Sequence, residues 1–185
     1  MVGAVSAGPR PDRRTTLSVR QGALADAAML TELGTRTFRE TYAESNAEHQ
    51  LEAYVAEAYR VDVQAAELTD PAVTYLIAEV DGTPVGFVLV RTAAAPDPIR
   101  AVDPLQLERI YVSREHQGVG AGAALVRAVL DRAATRGHDV VWLTVWVRNP
   151  AAIAFYRRWG FEHVGEVEFV LGTERQTDLV MAWWP

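Results

Sequence analysis

The sequence predicts a mixed α/β domain, a single sheet with helices on its faces. Three observations carry that prediction. Segments of helical period and segments of strict alternation succeed one another along the chain. An Asp81-Gly82 pair separates two alternating runs, which is a hairpin signal. The last half of the chain then reads strand, helix, strand, helix, strand, strand. At 185 residues the chain is long enough for one such domain with a full core.

The elements follow in order. TTLSVRQ (15–21) alternates and reads as the first strand. Residues 24–42 carry Leu24, Ala27, Leu30, Leu33 and Phe38 at helical spacing, with Asp26 placed to serve the helix start. A second helix covers 47–59 and a short third one 62–69. VTYLIAEV (73–80) and PVGFVLVR (84–91) form the hairpin. A proline-rich connector (93–104) leads to the strand LQLERIYV (105–112). A long helix over 119–136 stops at Gly137, followed by the strand VVWLTVWV (140–147). Pro150 opens a helix that stops at Gly160, and two strands near 161–170 and 177–184 close the chain.

Composition narrows the function. The net charge of −6 argues against a nucleic-acid partner and mildly favours a cationic substrate. There is no cysteine, which excludes disulfides, zinc–thiolate sites and a cysteine nucleophile, and fits a cytoplasmic location. The four histidines are scattered, so no metal site is expected. No apolar run is long enough for a membrane span. Residues 1–14, rich in Gly, Pro and charge, read as a flexible tail ahead of a single domain over 15–185.

The stretch REHQGVGAG (114–122) places Gly118, Gly120 and Gly122 at the start of the long helix. Glycine inside a helix costs about 0.5–1 kcal/mol relative to alanine. A helix N-terminus carries unpaired N–H groups and partial positive charge, and glycines let phosphate oxygens reach those groups. Close strand–helix packing is the plainer alternative. A Walker-type loop is excluded because Ala123-Ala124 follow Gly122. Gly118, Gly120 and Ala123 satisfy a dinucleotide fingerprint, but Ser113–Gln117 separate them from the strand and too little chain follows. An NADP reading therefore stays open only through Arg148.

Gln117-x-x-Gly120-x-Gly122, after LERIYV, resembles the acyl-CoA signature of the GNAT superfamily of N-acetyltransferases. Asn149-Pro150-Ala151-Ala152-Ile153-Ala154-Phe155-Tyr156, closed by Gly160-Phe161, resembles the second signature of that family. The resemblance spans about residues 15–184. It implies a GNAT-like sheet, mixed and mostly antiparallel, with helices on both faces and splayed central strands. It implies acetyl transfer from acetyl-CoA to an amine. The amides of Gln117, Gly118, Val119, Gly120, Ala121 and Gly122 would take the diphosphate. The backbone of Ile110, Tyr111 and Val112 would pair with the pantetheine arm, beside a bulge that opens the groove. Asn149 and Ala152 would flank the arm, and Tyr156 would be the general acid.

The reaction sets two demands. Collapse of the tetrahedral intermediate expels a thiolate, which a phenol near the sulfur can protonate; core packing is the alternative use of Tyr156. An alkylamine of pKa about 10.4 is about one part in 2,500 neutral at pH 7, a cost of about 4.6 kcal/mol, so a base should help. Glu108 is the candidate base, with an ion pair to an arginine as the alternative. Simple alternation puts Gln106, Glu108, Ile110 and Val112 on one face, and Leu105, Leu107, Arg109 and Tyr111 on the other.

For the acceptor, Glu40, Glu44, Glu48 and Glu52 recur at spacing four, near Phe38, Tyr42, Tyr54 and Tyr59. A solvated acidic face is the default reading, and a wall for a polycation the sharper one. TFRETYAESNAEHQLEAYVAEAY and FVLGTERQTDLVM resemble the bacterial spermidine/spermine N-acetyltransferase branch, which implies a polyamine, a small-molecule amine, as substrate. A protein or antibiotic amine, or a non-catalytic acyl-CoA sensor, remain alternatives. Ala182-Trp183-Trp184 would suit either core packing or a homodimer interface.

Overall fold

The computed structural model describes residues 15–43, 47–171 and 174–185. The expected tail over 1–14 lies outside the described residues, as do Glu44, Ser45, Asn46, Gly172 and Thr173.

Strand β1 (Leu17–Gln21) leads through one 3-10 turn (Leu24–Asp26) into α1 (Ala27–Tyr42). Asp26 starts this helical segment: its Oδ2 accepts from the Ala23 amide at 2.8 Å and from Arg20 Nη1 at 2.8 Å. Helices α2 (Glu48–Ala58) and α3 (Val61–Thr69) follow. Strands β2 (Val73–Val80) and β3 (Thr83–Thr92) form the expected hairpin. Its turn holds Asp81 at φ 50° and Gly82 at φ 79°, as a two-residue primed turn requires. Then come β4 (Pro104–Val112), α4 (Ala121–Arg136), β5 (Val140–Trp146), α5 (Pro150–Arg158), β6 (Glu162–Leu171) and β7 (Glu174–Trp183).

The strands make one seven-stranded sheet in the order β1-β2-β3-β4-β5-β7-β6. Every neighbouring pair is antiparallel except β4 with β5. Helices cover both faces, so the mixed, mostly antiparallel architecture is as expected. On one face α4 and α5 bury Leu125, Val129, Ile153 and Tyr156 against Val88, Leu105, Leu107 and Val141. On the other, α1–α3 cover β2–β4 through Leu30, Phe38, Leu51 and Tyr59. Gly34 lets the Tyr59 ring lie directly on α1, since a Cβ there would sit 2.3 Å from that ring. Trp183 packs on the first core, while Trp184 is half exposed.

Two features of β4 position the site. Its parallel pairing with β5 covers only Pro104–Gln106 against Val140–Trp142, after which the strands diverge. It also carries a bulge: Arg109 pairs with Leu89 and Leu107 with Val90, leaving Glu108 without a partner on β3. The bulge corrects the simple alternation expected for this strand. Leu105 and Leu107 share the α4–α5 core with Ile110 and Val112, whereas Tyr111 turns to the α1–α3 side. One extra residue shifts the period-two phase for everything beyond it.

Candidate active site

Where β4 and β5 part, a cavity of about 500 Å³ opens. The 106–112 segment of β4 forms one wall and Thr144–Trp146 of β5 the other. Gln117, Asn149, Ala152 and Tyr156 line it, and Phe38, Tyr42 and Tyr54 enter from α1 and α2. The edge of β4 beyond Gln106 is unpaired on this side, so its backbone groups are available to an extended, amide-bearing ligand. Ile110, Tyr111 and Val112 supply that edge. The Tyr111 ring packs against Phe38 and Phe87.

The glycine stretch sits at the N-terminus of α4. Gly118 and Gly120 hold φ of +83° and +91°, a conformation that side chains rarely adopt. Gly120 is the N-cap and offers no side chain to the helix end. The first intrahelical bond runs from the Ala124 amide to the Gly120 carbonyl at 2.9 Å. The amides from Gly118 to Ala123 find no acceptor among the described residues, and the first turn carries no acidic side chain. Close packing does not explain these glycines. A Cβ on Gly118 would meet nothing within 4 Å. One on Gly122, whose φ is not positive, would reach Phe155 and Val112 only at 3.8 Å. The bare surface therefore fits an anionic group lying against unsatisfied amides; Val119 is exposed beside it and Ala121 buried beneath it.

Asn149 caps α5: its Oδ1 accepts from the Ala152 amide at 3.1 Å. Pro150 at the first helical position completes that start. Tyr156 is held between Phe155 and Phe161, with ring centroids at 5.4 and 5.7 Å. Tyr156 is buried and lines the cavity. Burial holds that phenol above its ordinary pKa.

Glu108 also lines the cavity. Its Oε2 accepts from Arg91 Nε at 2.7 Å, and its Oε1 lies 3.4 Å from Arg109 Nη2. Arg109 is in turn ion-paired to Glu67 of α3, and Arg91 to Asp70 at 3.2 Å. The anticipated arginine pairing of Glu108 is thus present. Glu40 accepts from the Arg114 amide at 2.8 Å, and Glu52 binds Arg39 through two bonds of 2.6 and 2.8 Å. Glu48 is exposed, and Glu44 lies outside the described residues.

Sequence reasoning passed over Thr144, Gln176 and Asp178, all of which line the cavity. For Asp178 a signal existed: a lone carboxylate in the otherwise apolar run Asp178–Trp184. Burial raises its pKa, against a smaller lowering by the Thr144 hydroxyl.

Comparison with known proteins decides the family. The model of the acetyltransferase (GNAT) family matches residues 29–161. The chain belongs to the GNAT acetyltransferase family. It is 34% identical over 160 residues to an uncharacterized N-acetyltransferase of Mycobacterium tuberculosis (strain ATCC 25618 / H37Rv), covering 85% of this chain and 97% of that one. An uncharacterized N-acetyltransferase of Lactobacillus delbrueckii subsp. lactis is 29% identical, with 78% and 84% covered. In structure the chain is similar to the PaiA N-acetyltransferase of Thermoplasma acidophilum in complex with coenzyme A, at TM-score 0.76 and 21% identity, covering 92% and 99%. As a GNAT enzyme it is an acetyl-CoA-dependent N-acetyltransferase. Among the described residues no cluster could hold a metal, and no helix is long and apolar enough to cross a membrane.

Proposed function

We propose that this GNAT enzyme acetylates a primary amine of a small polycation, a polyamine foremost, by direct attack of the neutral amine on the thioester. Acetyl-CoA supplies the activated acetyl group. The amides of Gln117–Gly122 hold its diphosphate. The backbone of Ile110, Tyr111 and Val112 aligns the arm and polarises the carbonyl, as preorganised donors do. Asn149 and Ala152 border the arm. Tyr156 protonates the leaving sulfur, for which its place in the lining of the cavity is the supporting observation. Glu108, held by two arginines, biases the cleft toward a cation and takes a proton through water.

One observation carries the choice of a cationic acceptor. The cavity presents carboxylates and stacked aromatics, with Phe38 on Tyr54 at 4.5 Å, and Arg109, the one guanidinium among its described lining residues, is already bound by Glu67. Such walls suit an ammonium group through ionic and cation–π contacts. The likeness of 37–59 and 169–181 to spermidine/spermine N-acetyltransferases supports the same substrate. An acetyl-CoA consumption screen over polyamines, aminoglycosides and basic peptides tests it. Turnover of spermidine or spermine is the expected result; inertness of both, with another class acetylated, overturns the polyamine assignment.

A further inference from the structure

Asp178 has an unusual position for a carboxylate. It lies on β7 opposite Trp146 of β5, beyond the point where β4 and β5 separate. It is 8% exposed, yet it lines the cavity. Its Oδ1 is buried with no hydrogen-bond partner among the described residues. A buried acceptor left unpaired costs stability, so it persists where another function requires it. The ionisable groups of the cavity are Tyr42 from α1, Tyr54 from α2, Glu108, Arg109 and Tyr111 from β4, and Tyr156 from α5. Arg109 is committed to Glu67 and Glu108, and Asp178 has no ion pair among the described residues. Glu108, by contrast, already accepts from Arg91. Two arginines hold Glu108, whereas Asp178 meets only the Thr144 hydroxyl and keeps its Oδ1 unpartnered among the described residues.

We propose that Asp178 is a catalytic residue that binds the acceptor's ammonium group and removes its proton before attack. The proposal rests on the amine-acetylating reading above and names the group that meets the amine. The ammonium gives one proton to the Asp178 carboxylate, and the freed lone pair attacks the thioester carbon. A second proton leaves nitrogen as the C–N bond forms and the C–S bond breaks. One of the two protons reaches the sulfur by way of Tyr156, and the other goes to solvent. A carboxylate whose pKa burial has raised is better matched to this transfer than an exposed one.

The test compares wild type, Asp178→Asn and Asp178→Glu with n-propylamine, putrescine and spermidine between pH 6 and 10. For Asp178→Asn we expect about a 100-fold loss in kcat/KM at pH 7, shrinking to about threefold at pH 10, where more of the amine is already neutral. The KM for acetyl-CoA should hold, and Asp178→Glu should recover part of the loss. A loss that is equal at every pH, or smaller than threefold at pH 7, overturns the proposal. If spermidine is inert but n-propylamine is acetylated, the polyamine reading fails and Asp178 is judged on n-propylamine. If no amine turns over, carbon-13 NMR of aspartate-labelled protein decides. The signal lost in Asp178→Asn should titrate above the usual carboxylate range and move on adding n-propylammonium. A signal that does neither overturns the proposal. A coenzyme A-induced rise in melting temperature shows that each variant is folded.

Discussion

Arg91 Nε lies 2.7 Å from Glu108 Oε2, and that bond ties β3 to the bulged β4 residue that its register skips. The bulge turns Ile110 and Val112 into the α4–α5 core, and the free edge of β4 faces the cleft. An ion pair between two half-buried side chains thus braces the groove-bearing strand. Replacing Glu108 by Gln should lower kcat about tenfold while leaving coenzyme A affinity within about twofold. Steady-state kinetics and calorimetry check this; unchanged kcat removes Glu108 from the chemistry.

Tyr156→Phe should retain the stacking on Phe155 and Phe161 but lose the proposed proton donor. We expect kcat to fall about 100-fold with coenzyme A affinity preserved. Because burial keeps the phenol above its ordinary pKa, Tyr156 stays protonated at neutral pH, and ionisation of Tyr156 should produce no alkaline loss of activity below about pH 10.

Gly34→Ala tests the packing of α1 on Tyr59. The added Cβ would lie 2.3 Å from the buried ring. Overpacking of this kind costs about 1–3 kcal/mol, so thermal denaturation should show a lowered Tm. An unchanged Tm would mean that α1 and Tyr59 move apart freely.

Asp26 predicts an acid-dependent loss of stability. Its hydrogen bonds from Arg20 hold its pKa below the ordinary value, against the cost of burial. A depressed folded pKa gives stability that is present above the unfolded value and lost as pH falls through the folded one. Asp26→Asn should therefore destabilise the fold by about 1–2 kcal/mol at pH 7. The gap from wild type should close progressively below about pH 4, as urea melts across pH will show.

How much of this was legible follows from what each feature depends on. The elements, the Asp81-Gly82 turn and the glycine start of α4 are set by local backbone preference, so the sequence displayed them. The bulge at Glu108 depends on how β4 registers against β3, and no local signal marks which residue is left over. Arg114 and Arg39, 74 and 13 positions away from Glu40 and Glu52, hold those carboxylates, and no local spacing marks either contact. Asp178 was visible as an oddity in β7, but its place in the cleft depends on β4 and β5 separating.

The unclothed N-terminus of α4 is the proposed seat of the coenzyme's diphosphate. Gly122→Glu isolates that claim. A Cβ fits there at 3.8 Å from its neighbours, and an acidic side chain in the first turn suits the helix dipole, so the fold should keep its Tm. Titration calorimetry with coenzyme A should show affinity reduced at least about 100-fold by bulk and like charge. Wild-type affinity in a folded Gly122→Glu protein would contradict the account.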